Sequence, residues 1–297
     1  MPSLGGDQYK WYCEIPPLAE PGNYPGGVKT KPPFEMGVDD FDISNDTGGM
    51  TVLQEVFKRY EKKYLLTEDG FRRLMLAVGG SFQPDQYEQY QISNIYFDTP
   101  DCGLIRKSLE KPVYKEKLRL RAYGTGIGQD SQVFPELKKK YDQMVYKRRI
   151  QMSLREARDC FYLGKETGRR DQIFQELDYV MKRYGLAPMA YIAYERQAYT
   201  CCLDREIRLT FDWNLLGRSW DLDLSSGVWG DRILEKGLVL MELKTAGAVP
   251  LWLSHVFSQM EIFPVSFSKY GTYYQRYMVP ETVSVKAAAR EGGRRCA

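Results

Sequence analysis

Lys115-Glu116-Lys117-Leu118-Arg119-Leu120-Arg121 is the stretch on which the fold turns. In a β-strand alternate residues share a face, so Lys115, Lys117, Arg119 and Arg121 point one way and Glu116, Leu118 and Leu120 the other. Cations about 7 Å apart along one strand make a strip of positive potential. One such strand is most simply a solvated face of an antiparallel sheet.

The pattern recurs along the chain. Glu136, Lys138 and Lys140 share a face, as do Lys147 and Arg149, and Tyr194 and Arg196. Ile207, Leu209 and Phe211 oppose Arg208 and Asp212, while Val239, Met241 and Leu243 oppose Glu242 and Lys244. Two architectures fit these strands. An open sheet would turn its charged face to water. A closed barrel would pack its apolar face under helices and line its lumen with the charges. Cations gathered in a lumen repel one another unless a polyanion sits among them. A lone carboxylate such as Glu242 is then an ion-pair partner or a hard-metal ligand. Period-two patterning does not distinguish the two architectures.

Composition narrows the function. The chain has 297 residues, 43% hydrophobic and 27% charged, as an ordinary globular protein has. Lys and Arg number 42 against 39 Asp and Glu, so the net charge of +3 is too small to coat nucleic acid by bulk charge. One histidine, His255, excludes the usual histidine zinc sites. It falls in the helix expected after Pro250 and reads as a surface or core residue. The 6 cysteines form no CxxC pair, which suits a reducing, cytoplasmic location. No secretory signal or membrane span is visible.

Residues 1–49 hold seven of the 15 prolines and read as a poorly ordered Pro/Gly-rich arm. Residues 50–280 read as one domain and 281–297 as a tail. Helices are expected after the N-cap Thr67 as far as Gly79, from the Ser153/Glu156 capping box to about Leu163, from Asp171 to Tyr184, and from Pro250. Asp98, in Asp98-Thr99-Pro100, reads as a turn former, and Asp212 as structural.

At these residues the sequence resembles the VTC domain, the polyphosphate polymerase module of the vacuolar transporter chaperone complex, in the triphosphate tunnel metalloenzyme superfamily. The resemblance runs in order through Arg59-Tyr60-Glu61-Lys62-Lys63-Tyr64, Ser93-Asn94-Ile95-Tyr96-Phe97-Asp98-Thr99, Lys117-Leu118-Arg119-Leu120-Arg121 and Glu136-Leu137-Lys138. It continues through Tyr194-x-Arg196, Arg208-Leu209-Thr210-Phe211-Asp212, Glu242-Leu243-Lys244 and Phe267-Ser268-Lys269-Tyr270. It implies an α+β fold, a closed antiparallel eight-stranded β-barrel with helices packed outside. By motif, Lys63, Arg119, Arg121, Lys138, Arg196 and Lys269 would be the catalytic cations. Lys117, Lys147, Tyr194, Ser268 and Lys244 would bind substrate. Glu242, Glu136 and Glu61 would hold a divalent Mn²⁺ or Mg²⁺.

The implied activity moves the terminal phosphate of ATP onto polyphosphate. A tunnel triphosphatase and a non-catalytic polyphosphate-binding module are the alternatives, and nucleic acid is not an expected partner. Two features depart from the superfamily pattern. Its hydrolytic branch carries ExExK on the first strand, where this chain has Arg59, Glu61 and Lys63. The short segment after Lys138 also leaves Lys147, Arg148 and Arg149 as competing assignments. The resemblance includes no inositol-phosphate sensor and no membrane domain, so a stand-alone module is expected.

Overall fold

Alternation of charged and apolar side chains, continued over eight or more residues, produces the long strands of the computed structural model. The structure describes residues 55–57, 60–85, 89–142 and 144–279, so the expected arm and tail, and Arg59, lie outside the described residues. The strands are β1 (Glu55–Phe57), β2 (Tyr60–Thr67), β3 (Phe82–Pro84), β4 (Tyr90–Asp98), β5 (Tyr114–Tyr123), β6 (Gln132–Tyr141) and β7 (Met144–Arg149). They continue with β8 (Met152–Ser153), β9 (Ala187–Cys201), β10 (Arg208–Arg218), β11 (Asp231–Arg232), β12 (Leu238–Thr245) and β13 (Pro264–Val265). The helices are α1 (Glu68–Val78), α2 (Gly103–Leu109), α3 (Leu154–Phe161), α4 (Gln172–Tyr184), α5 (Leu251–Gln259) and α6 (Lys269–Tyr273), the last running into a π-turn, Tyr274–Met278.

The expected closed eight-stranded barrel is not what forms. All 13 described strands belong to one sheet, whose main path runs β1-β7-β6-β5-β4-β9-β10-β12-β2-β13. β7 gives its outer edge to β1 and β2 gives one edge to β13, so the ladder ends in two short strands instead of meeting itself. The sheet is nonetheless strongly curled. Lys138 Nζ on β6 lies 3.7 Å from Glu61 Oε2 on β2, although the two strands are six places apart in the sheet. In a flat sheet that separation is about 29 Å. Only residues 58 and 59 separate β1, at one end of the path, from β2, beside the other. That link spans at most about 11 Å.

Two hydrophobic cores pack the convex face. Leu118, Leu120 and Leu137 meet Leu154, Ala157 and Phe161 of α3 and Ile173, Leu177 and Val180 of α4. Leu209, Phe211, Met241 and Leu243 meet Leu74 of α1 and Leu253 and Phe257 of α5. The third core corrects the expectation that every helix lies outside. Tyr96, Ile192, Tyr194 and Leu240 share the strand face of Asn94, Arg196 and Glu242, and they pack on Ile105 of α2 and Tyr270 and Tyr273 of α6. These two helices therefore fill part of the concave face. Gly217 makes room for one of them, since a Cβ there would run into the Tyr273 ring.

The expected helix starts are capped. Thr67 Oγ1 accepts from Gly70 N at 3.0 Å and Asp171 Oδ1 from Phe174 N at 2.9 Å. Ser153 Oγ accepts from Glu156 N at 3.1 Å, but the Glu156 carboxylate pairs with Arg169, so the capping box is half made. Asp98 does more than form a turn. Its carboxylate accepts from Leu104 N at 2.8 Å, Ile105 N at 2.9 Å and Tyr270 Oη at 3.1 Å, capping α2 and tying α6 to it. Leu177→Ala, at a position 0% exposed, is expected to lower the unfolding free energy by about 2–5 kcal/mol in denaturant titration. A loss under about 1 kcal/mol would mean that α4 does not seal this core.

Candidate active site

Strand register places the charged residues in rows across the concave face. Lys117, Lys138 and Lys147 lie abreast on β5, β6 and β7, and Arg119, Glu136 and Arg149 form the next row. On the other side Thr210, Glu242 and Lys63 lie abreast on β10, β12 and β2, beside a row of Arg208, Lys244 and Glu61. Side chains directly opposite one another approach to about 5 Å, and like charges so placed repel. The face therefore depends on a few carboxylates.

Glu136 is the first of them. It is 1% exposed, and four cations surround it. Arg119 Nη2 lies at 2.6 Å, Lys147 Nζ at 3.2 Å, Arg149 Nη1 at 3.7 Å and Arg121 Nε at 3.9 Å. Burial opposes ionisation of Glu136, but Arg119 and Arg121 outweigh it and hold the carboxyl well below the usual range. Asp212 is the second. Arg196 donates to both its oxygens, at 2.7 and 2.9 Å, and Lys269 Nζ lies 2.6 Å away. Burial is again outweighed, by Arg196 and Lys269, and the pKa falls to about 2. Tyr194 joins the two groups. Its ring lies under Lys269 at 4.3 Å and its hydroxyl accepts from Arg121 Nη2 at 3.3 Å.

The remaining carboxylates serve β2. Lys63 Nζ lies 3.0 Å from Glu61 and 3.8 Å from Glu242, and Lys244 Nζ lies 3.4 Å from Glu242. Burial disfavours the Lys63 ammonium, yet Glu61 and Glu242 raise its pKa above the ordinary lysine value. Lys117 differs. Its Nζ donates to Ser268 Oγ at 3.3 Å and has no carboxylate within 4 Å among the described residues. Burial, with Lys115, Lys63 and Lys138 adding to it against Tyr96, lowers its pKa to about 8. At Tyr96 burial is overcome by Arg119 and Lys117, and the phenol also falls to about 8.

The structure thus gathers the expected cations on one face, and it separates Arg148 from its neighbours. Lys147 and Arg149 point to Glu136, whereas Arg148 turns to Glu176 of α4 on the convex side. Glu136 does not join Glu61 and Glu242, and no three carboxylate, histidine or cysteine side chains gather as a metal centre among the described residues. Sequence reasoning missed Tyr96 as a member of the face, and it placed Arg149 on the face without counting it among the site residues. Arg149 carried a usable signal, since it alternates with Lys147.

The comparisons with known proteins can be set beside this geometry. The family model for the VTC domain matches residues 58–278. The chain belongs to the VTC domain family. No curated protein matches it. Among solved structures, this VTC domain is similar to a putative adenylate cyclase from Bacillus halodurans, at 14% identity and TM-score 0.45, covering 75% of this chain and 100% of that one. It is also similar to HpAC1 from Hippeastrum, a putative adenylyl cyclase with a dominant triphosphatase activity. That similarity has 14% identity and TM-score 0.46, covering 74% and 97% of the two chains. The Mimivirus capping enzyme triphosphatase is similar at 9% identity and TM-score 0.30, over 69% of this VTC domain and 90% of that chain.

Because Lys117 and Tyr96 both titrate near pH 8, a bound polyanion should draw a proton onto the VTC domain. An anion beside them raises both pKa values, so affinity should fall as pH rises above about 8. Empty protein should behave oppositely. The unfolded chain keeps its lysine proton up to the ordinary value of 10.5, so stability from this group rises between pH 8 and 10.5. Calorimetric titration of inorganic triphosphate at pH 8, in two buffers of different ionisation heat, should show more proton uptake in the wild type than in Lys117→Met. Equal uptake would remove Lys117 from the site.

Proposed function

We propose that the concave face binds the phosphates of a nucleoside triphosphate and of a polyphosphate chain, and transfers the terminal phosphate from the first to the second. The observation that carries this reading is the excess of cations over carboxylates on one concave face. Lys63, Arg119, Arg121, Lys138, Lys147, Arg149, Arg196, Lys244 and Lys269 share Glu61, Glu136, Asp212 and Glu242, and Lys117 stands among them. Such an arrangement is electrostatically incomplete without a polyanion. Arginine supplies paired donors to nonbridging oxygens, and lysine a compact charge.

In the transfer, the bond between the γ-phosphorus and its bridging oxygen breaks, and the electron pair leaves with the nucleoside diphosphate. A new bond forms from the terminal oxygen of the polyphosphate. That oxygen is already anionic, so positioning and charge neutralisation suffice, and no histidine is needed. Lys63, Arg119, Arg121, Lys138, Arg196 and Lys269 hold the reacting phosphates, while Lys117, Lys147, Tyr194, Ser268 and Lys244 hold the rest of the chain.

A divalent metal fits beside Glu242. Thr210 Oγ1, opposite Glu242 in the register, is buried and makes no hydrogen bond with the described residues, and Glu61 approaches the same Lys63. Two carboxylates and a hydroxyl are the oxygen donors that Mg²⁺ or Mn²⁺ takes, with substrate phosphates completing the set. When bound, the metal supplies charge neutralisation at the phosphate oxygens.

A second reading keeps the same phosphate-binding cations and takes water in place of polyphosphate as the acceptor. The test incubates the protein with ATP and Mn²⁺ and quantifies ADP, orthophosphate and polyphosphate together. ADP matched by polyphosphate supports the transferase, and ADP matched by orthophosphate supports the triphosphatase. Glu242→Gln should reduce turnover at least about a hundredfold while leaving polyphosphate binding within about threefold. Wild-type turnover in that variant would remove Glu242 from the metal site.

A further inference from the structure

We propose that Glu136 and Asp212 are positioning residues. They act as buried counter-charges that fix the phosphate-binding cations in place and limit how tightly the face grips a polyanion. This deepens the proposed function and rests on the concave face being a phosphate site.

The geometry separates these two carboxylates from Glu242. Glu136 is 1% exposed and Asp212 is 0% exposed, and each is ringed by cations from different elements. Glu136 gathers Arg119 and Arg121 of β5 with Lys147 and Arg149 of β7. Asp212 takes Arg196 of β9 in a two-point contact, which sets both the position and the plane of the guanidinium. It also takes Lys269, the first residue of α6, and so fixes that helix on the concave face. Through Tyr194 and Arg121 the two groups form one connected network. A metal would have to displace cationic nitrogens 2.6 Å from Glu136 and Asp212, whereas Lys244 and Lys63 stand 3.4 and 3.8 Å from Glu242.

An ion pair that served folding alone would have one effect when removed, a less stable protein. A counter-charge within a polyanion site has another. Neutralising it removes one negative charge from among the cations and the anchor of Arg119 or Arg196, so phosphate is bound more tightly but with the cations less well aimed. Triphosphate affinity should rise as turnover falls, a combination that loss of folded protein cannot produce.

The test uses the full chain in the forms Asp212→Asn, Glu136→Gln, Asp212→Glu, Glu136→Asp and Glu242→Gln. Calorimetry gives the Kd for inorganic triphosphate without metal and the Kd for Mn²⁺ alone, and steady-state assays give KM and kcat. The two neutral variants are expected to bind triphosphate roughly tenfold more tightly, with lower KM and at least tenfold lower kcat. Their Mn²⁺ affinity should match the wild type, whereas Glu242→Gln should lose Mn²⁺. The charge-keeping variants should hold triphosphate affinity within about twofold while kcat falls. They carry the test if a neutral variant does not fold, because tenfold weaker triphosphate binding in them would overturn the proposal. So would unchanged or weaker triphosphate binding in a folded neutral variant, or loss of Mn²⁺ in Glu136→Gln. A wild type that binds no triphosphate would sink the phosphate-site reading itself, and with it this proposal.

Discussion

Repulsion among cations crowded onto one face of a curled sheet is the constraint that shapes this molecule. Rows such as Lys117, Lys138 and Lys147 place like charges side by side, and curvature brings β6 and β2 together across the concavity. Water could screen these charges on an open surface, but several here are buried. Glu136 and Asp212 make the arrangement tolerable, and both stay ionised despite burial because the surrounding guanidinium and ammonium groups outweigh desolvation. The charged face and the folded sheet are therefore one problem with one solution.

That solution divides the work between residue types. Arginine sits where a fixed plane matters, against Glu136 and Asp212 or over aromatic rings, as Arg149 lies 3.9 Å from the centre of Phe134. Lysine covers a wider range, from Lys269, 2.6 Å from Asp212, to Lys138, 3.7 Å from Glu61. Lys117, which among the described residues donates to Ser268 and meets no carboxylate, is the extreme case, and burial together with the neighbouring lysines depresses its pKa. The convex side has no such tension, because α1, α3, α4 and α5 cover it with ordinary apolar cores.

Much of this was legible in the sequence, for a physical reason. Alternation along Lys115–Arg121 reports directly which side chains share a face, and caps such as Thr67 and Asp171 are local signals read within one turn. Closure was not legible, because period two is the same in an open and a closed sheet. The ends of the ladder depend on β1 and β13, which are three and two residues long. The concave packing of α2 and α6 was equally hidden. It rests on Asp98 bonding Tyr270 across 172 residues and on Tyr273 seated against Gly217, contacts that leave no periodic trace. The surroundings of Glu136 were hidden for a related reason. A carboxylate among cations looks the same in sequence whether it holds a metal or holds the cations, and only the register of β5, β6 and β7 places four of them around it.

The place of α6 has a consequence for biosynthesis. Lys63 reaches the carbonyl of Phe267, 204 residues further on, and Asp212 waits for Lys269. During translation the basic strands emerge first, and the element that completes their concave face is made last among those described. A nascent chain halted before Ser268 carries a basic trough with neither its plug nor the lysine that Asp212 holds.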